Sequence, residues 1–142
     1  MMELVLFNWK SKSLLYSIYN IIHREKILEL DYHLIISNEQ LKACCDSAAQ
    51  AEYVALNTEF IRTRTYYPKL GLIQLYDGKT AYLIDPLTIS DWQPFCHLLV
   101  NPGVTKLLHA SSEDLEVFGH EFGLSPEPFI DTQILASFCG YT

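Results

Sequence analysis

The sequence predicts an α/β fold, a mixed sheet with helices on its faces. Three observations carry that expectation. Two apolar, strand-like runs are joined through Asp77-Gly78, a strong hairpin signal. Beyond the hairpin, helical and strand-like segments alternate, which calls for crossover connections. Hydrophobic residues make up 49% of the 142 residues, enough to fill one core and to exclude the disordered class.

The elements follow in order. Residues 1–30 read as an appended segment, and a single α/β domain is expected from residue 31 to 142. In the appended segment Lys10 and Lys12 precede a largely apolar run from Leu14 to Ile22, which faintly resembles a secretory signal. No small-residue cleavage site follows and charge returns at once in "HREK", so an amphipathic helix or an ill-ordered extension fits better. Nowhere are there about 18 consecutive apolar residues, so no spanning helix and no membrane partner are expected. Ser37 is placed to cap a helix through "SNEQLKACCDSAAQAE", with Gln40 at capping-box spacing. Leu41, Cys44, Cys45 and Ala48 form the inward stripe of that helix. "YVALNTEF", "LGLIQLY" and "TAYLI" read as strands. Asp91 can cap a helix through "WQPFCHLLV", with Pro94 tolerated in its first turn, and Asn101-Pro102-Gly103 ends it. "VTKLLHA" reads as a strand, Ser111 or Ser112 as the cap of "EDLEVFGHEFG", "PFID" as a short strand and "TQILASFCG" as a further helix. "YVALNTEF" should be central, with "LGLIQLY" antiparallel on one side and "VTKLLHA" parallel on the other.

Charge and thiols narrow the function. A formal net charge of −7 argues against a histone-like or arm-type nucleic-acid binder. It leaves a nuclease open, because carboxylates gathered around divalent cations themselves make a domain acidic. The four cysteines form no CxxC pair and no zinc spacing, as for thiols in a reducing cytosol, and a cytoplasmic location is expected.

Asn57 and Glu59, two positions apart on one strand, share a face. Asp114 lies in the first turn of the helix after "LLHASS", and Asp131 ends "PFID". Ligands in open α/β sheets gather at the carboxyl ends of parallel strands, and clustered oxygens suit hard cations. Asp114 is equally well explained by the helix dipole. Asp131 reads as an N-cap and Asp85, before Pro86, as turn chemistry, so neither is expected to ligate. Glu59, in an otherwise apolar strand, must be paired, coordinated or exposed. The pattern by itself stops at a metal-dependent α/β hydrolase.

"VALNTEFIRTRTYYPKLGLIQLYDG", "AYLIDPLTISDW", "KLLHASSEDLEVF" and "FIDTQILASFCGY" resemble bacterial ribonuclease D, a 3′-5′ exonuclease group with four acidic residues spread over three motifs. The resemblance implies a ribonuclease H-like mixed sheet with helices on both faces. It implies a 3′-5′ exoribonuclease acting on single-stranded RNA 3′ ends, transfer-RNA precursors above all, with two Mg²⁺ or Mn²⁺ ions at the scissile phosphate. By the same resemblance Glu59 would hold the water-activating ion, position 57 would bridge both ions and Asp114 would support the second. The family's Asp-x-Glu stands here as Asn57-Thr58-Glu59. Its third motif, a tyrosine followed four residues later by an aspartate, would fall beyond Thr142, so the resemblance implies a C-terminally truncated domain with impaired catalysis. Arg62, Arg64, Tyr66, Tyr67 and Lys69 are the dense mix of cations and aromatics that single-stranded RNA requires, although the tyrosines could instead pack on the sheet. His109, in the third matched stretch, is assigned with them to the RNA-binding set.

Overall fold

The computed structural model describes residues 32–62 and 66–141. The segment 1–30 and Arg64 lie outside the described residues. Six strands form one mixed sheet in the order β1-β4-β3-β2-β5-β6. They are β1 Tyr32–Ile35, β2 Tyr53–Ile61, β3 Lys69–Tyr76, β4 Ala81–Ile84, β5 Thr105–Leu108 and β6 Phe129–Asp131. Helices α1 Asn38–Ala48, α2 Gln93–Leu99, α3 Ser112–Phe122 and α4 Thr132–Phe138 alternate with them, and a 3₁₀ turn spans Pro86–Thr88. None of these helices is long and apolar enough to cross a membrane.

The interior position of β2 and its two unlike neighbours are as the sequence predicts. It runs antiparallel to β3, with Leu56 opposite Leu75, and parallel to β5, with Ala55 opposite Leu107. The hairpin is closed by Asp77, whose carboxylate accepts the N–H groups of Lys79 and Thr80, while Gly78 takes φ +93°, a conformation that favours glycine. Strand β1 was not anticipated. Its four residues pair parallel with β4 at the sheet edge, too short a run for a period to show.

One face of the sheet carries the core. Val54, Leu56, Ile73, Leu75 and Ile84 meet the predicted stripe of α1, together with Phe95 of α2 and Val117 and Phe118 of α3. The aromatic rings of Trp92, Phe95, Phe118 and Phe122 pack on one another with centroids 5.0–6.3 Å apart, tying α2 to α3 by edge and offset contacts.

Two caps differ from expectation by their partners. Ser37 does cap α1, accepting the Gln40 N–H at 3.3 Å, but the Gln40 side chain reaches the Ile36 N–H at 2.8 Å rather than that of the cap itself. Asp91 accepts the Gln93 N–H at 3.0 Å from one residue before the capping position, which Trp92 occupies. All four cysteines are free thiols.

Candidate active site at the end of strand β2

The site grows out of a mismatch in strand length. The Glu52 carbonyl accepts the Thr105 N–H at 2.9 Å, so the backbone groups of even-numbered residues of β2 turn toward β5. Strand β5 stops at Leu108 and pairs with β2 only as far as Ala55, which leaves the Thr58 N–H without a strand to receive it. Asp114, in the first turn of α3, takes that place. Its Oδ1 accepts both the Thr58 N–H at 2.8 Å and the Thr58 hydroxyl at 2.7 Å. Asp114 is thereby buried, and burial pushes its carboxyl above the ordinary carboxylate range. The Thr58 hydrogen bonds oppose the rise, and the neighbouring Glu113 and Glu59 charges add to it.

Asn57 and Glu59 flank Thr58 and point to the face opposite its side chain, as alternation requires. Glu59 is near enough for its charge to act on Asp114. At the same point a bulge shifts the β2–β3 register between Glu59 and Phe60, and a side chain at Gly71 would stand 3.3 Å from the Glu59 carbonyl, a tight approach that glycine relieves. Asn57 is half-buried, and its Nδ2 donates to the Oε1 of Gln74, directly opposite on β3, at 2.9 Å. Gln74 is buried. Only the Oδ1 of Asn57 can then face a cation.

Tested as a metal centre, this donor set falls short of a pair of ions. One face offers Glu59 and the neutral amide oxygen of Asn57, Asp114 grips Thr58 on the other side of the strand, and no group of three His, Cys, Asp or Glu side chains suited to a metal occurs among the described residues. Bridging two hard cations calls for more anionic oxygen than that.

Asp131 is an N-cap as predicted, and it does more. Its carboxylate accepts the N–H groups of Gln133 and Ile134 at the start of α4, and also those of Ala110 and Ser111 at 3.2 and 2.8 Å. Ala110 has φ +54°, unusual for a residue with a Cβ. The turn at 110–111 thus points two successive N–H groups at one anion. Ser111 occupies the capping position of α3, but its side chain makes no capping bond; the Asp131 carboxylate anchors that turn instead. Thr132 adds a second tie, donating its hydroxyl to the Leu108 carbonyl and meeting His109 Nδ1, each at 3.0 Å. Asp85, as expected, caps the 3₁₀ turn through the Leu87 N–H.

The described members of the predicted RNA-contact set run from the end of β2 to the start of β3, with His109 apart from them after β5. Arg62 is ion-paired with Glu116 of α3 and lies 5.8 Å from the Phe60 ring. Tyr67 stacks on His120 of α3 at 4.4 Å with an 11° interplanar angle, and Tyr66 meets Tyr67 edge-on at 5.0 Å. Tyr66 is 86% exposed, so a ring face is open to solvent. Lys69 begins β3, and His109 sits at the β5–α3 junction. Sequence reasoning missed Thr58, Gln74 and His120. The first two had a signal, since polar side chains in apolar strands need partners.

Two outcomes follow from the electrostatics. Because the Asp114 carboxyl is raised, its ionisation costs stability as pH rises above the ordinary carboxylate range. Asp114→Asn keeps the Oδ1 acceptor and removes the charge, so thermal unfolding at pH 7 should show a gain of about 1 kcal/mol, or several degrees. A lower melting temperature would contradict this. For Asp131, burial pushes the carboxyl up, but the bonds from Ser111, Gln133 and Ile134 outweigh it and hold the group below the usual range. The stability it contributes is therefore complete above the unfolded carboxylate value, about 3.9, and is lost as pH falls through the lowered folded value. Asp131→Asn keeps the Oδ1 acceptor of the cap but puts an amide donor where Oδ2 accepts the Ser111 N–H, so it should cost about 1 kcal/mol at pH 7 and flatten the acid limb of an unfolding curve; an unchanged limb would count against the anchor.

Comparison with known proteins fits this geometry. The profile of a 3′-5′ exonuclease family matches residues 32–142. Ribonuclease D of Musicola paradisiaca is 60% identical over 111 residues, which is 78% of this chain and 30% of that protein. The crystal structure of Escherichia coli RNase D, described as an exoribonuclease involved in structured RNA processing, superposes with a TM-score of 0.77 at 54% identity, over 80% of this chain and 30% of that one. The Aedes aegypti Nibbler EXO domain shares the fold alone, with a TM-score of 0.71 at 22% identity, over 82% of this chain and 61% of that domain. The chain thus spans about 30% of the length of the curated relatives it matches.

Proposed function

The chain belongs to the 3′-5′ exonuclease family, and from that premise we infer a ribonuclease D-type exoribonuclease domain whose site receives single-stranded RNA 3′ ends and hydrolyses them at most slowly. The observation that carries this reading is the pairing of Asn57 with Gln74 on the face it shares with Glu59. The position is half-buried, its amide is engaged by Gln74 of β3, and it is uncharged. An amide presents one neutral acceptor oxygen where a carboxylate presents two anionic ones. The divalent ions on which the family generally depends, Mg²⁺ or Mn²⁺ in this reading, would supply charge at the scissile phosphate, with Glu59, Asp114 and Asn57 as the residues nearest to hold them.

What this chain's own residues do is orient. Thr58 fixes Asp114, and Asp131 fixes the turn that delivers it. Tyr66 offers a stacking face, and Arg62, Arg64 and Lys69 supply positive charge for a backbone, with His109 at the junction as a further contact. A whole protein built on this domain would act in the cytoplasm on transfer-RNA precursors. A second reading, a relic that only binds RNA ends, is favoured by the same Asn57–Gln74 pair.

RNA binding can be measured without catalysis. Replacing Arg62 and Arg64 together by alanine should weaken binding to any short single strand about tenfold and flatten its salt dependence by roughly one unit of slope. Because Glu116 holds Arg62, Glu116→Gln should strengthen binding. Tyr66→Ala should cost about 1–3 kcal/mol through lost stacking. Fluorescence anisotropy across a salt series decides the matter, and unchanged affinity and slope in the arginine variant would remove this surface from the RNA path.

A further inference from the structure

Four polar side chains form a row across one face of the sheet. In the parallel register Ala55 of β2 lies beside Leu107 of β5, so the next residues on that face, Asn57 and His109, fall side by side. Leu108 is buried in the core, which leaves His109, one residue on, for the opposite face. Gln74 pairs with Asn57 from β3, and Thr132, the residue after β6, meets His109 from the other side. The row thus runs Gln74, Asn57, His109, Thr132, with Glu59 one step further along β2.

Hydrogen bonding along the row fixes the chemistry of the ring. The Thr132 hydroxyl has one proton and donates it to the Leu108 carbonyl at 3.0 Å. Its oxygen then has only lone pairs for His109 Nδ1, also at 3.0 Å, so Nδ1 carries the ring hydrogen and donates. In the neutral ring Nε2 is therefore an acceptor. His109 is exposed, and the protein engages it through Nδ1. Beside it stands Asn57, whose Nδ2 is taken by Gln74 and whose Oδ1 likewise accepts. Two neighbouring acceptors suit a ligand that brings donors. On a single strand the exocyclic amines change with the base. The 2′-hydroxyl recurs at every nucleotide of RNA and is missing from DNA.

We propose that His109 reads the sugar: its Nε2 accepts a hydrogen bond from a 2′-hydroxyl near the 3′ end, so that the site prefers RNA to DNA, and Thr132 is the positioning residue that holds the ring in the tautomer able to accept it. The proposal rests on the reading of this chain as an exoribonuclease domain. It concerns binding and not cleavage, so it stands apart from the consequences of Asn57.

Oligouridine has no exocyclic amine, so it isolates the sugar. Fluorescence anisotropy compares an all-ribose strand with one that is 2′-deoxy in its last two nucleotides and one that is 3′-deoxy in its last. The 142-residue chain should bind the 2′-deoxy strand about fivefold more weakly than the ribose strand, as expected for one neutral hydrogen bond. His109→Ala should erase that difference, and Thr132→Val should shrink it. A merely structural loss would weaken both strands alike and keep their ratio. Nitrogen-15 shifts of the His109 ring give a second reading, with the hydrogen expected on Nδ1. Equal affinity for the ribose and 2′-deoxy strands overturns the proposal and leaves the RNA-end reading standing, whereas no binding of any strand overturns both. The proposal is also overturned if either variant keeps the full difference, if the effect of His109→Ala falls on the 3′-deoxy comparison instead, or if the ring hydrogen is on Nε2.

Discussion

Asn57→Asp, in a polypeptide joining residues 32–141 to the remainder of a ribonuclease D exonuclease domain, is expected to raise metal-dependent release of 3′ nucleotides about 10²- to 10⁴-fold over the same polypeptide with Asn57, the equivalent of about 3–5 kcal/mol. In the 142-residue chain alone the same change should recover little. The substitution is isosteric, and the fold can accept it. Gln74, now accepting from the Asn57 amide, needs only to turn its own amide over to donate to the new carboxylate. What changes is charge, an anionic oxygen on the strand face that Glu59 shares. Groups that act together on one reacting centre are strongly non-additive, so restoring position 57 and the rest of the domain should exceed the product of the separate gains. Four proteins, assayed on one single-stranded RNA with Mg²⁺ or Mn²⁺, give the comparison. Equal gains from Asn57→Asp in the short and the joined chains would show that position 57 and the added residues do not act on one site.

Lys106→Met is expected to destabilise the fold by about 3 kcal/mol or more, a fall of roughly 10 °C in melting temperature. Lys106 is fully buried in β5, and its ammonium donates to the carbonyls of Asn101, Val104 and Glu127 at 2.9, 2.6 and 2.8 Å. Those carbonyls belong to the loop that ends α2 and to the segment just before β6, so one cation gathers three chain segments at the foot of β5. Methionine fills the volume but donates nothing, and three carbonyls are then left inside the protein without partners. Denaturant unfolding of the two proteins measures the difference. A change below 1 kcal/mol would mean that water replaces the ammonium at no cost.

Much of the fold was legible because its signals are local. The Asp77-Gly78 turn, the stripe of α1 and the alternation after the hairpin each follow from residue spacing, and the sheet order around β2 follows from them. Strand β1 was not legible, since four residues pairing with β4 are specified by the partner and not by a period of their own. For the candidate site residues Asn57, Glu59 and Asp114, the partners that hold them could not be read from the sequence. The Thr58–Asp114 bonds span 56 positions and exist because β5 ends early, a fact of three-dimensional strand length. The anchoring of the Ala110-Ser111 turn by Asp131 is of the same kind. Its capping half, two and three residues ahead, is visible in sequence; its other half, 20 and 21 residues behind, is not. Lys106 did leave a trace, a lone charge within "VTKLLHA", that periodicity alone passes over.

The central claim is that asparagine at position 57 leaves this chain able to receive an RNA end but barely able to cut it. Release of 3′ mononucleotides from a single-stranded RNA by the unaltered 142-residue chain, with Mn²⁺ and with a chelator control, tests it most directly. The account predicts a rate no more than a trace above the Glu59→Gln variant. Robust release that the chelator abolishes and that Glu59→Gln and Asp114→Asn remove would contradict it.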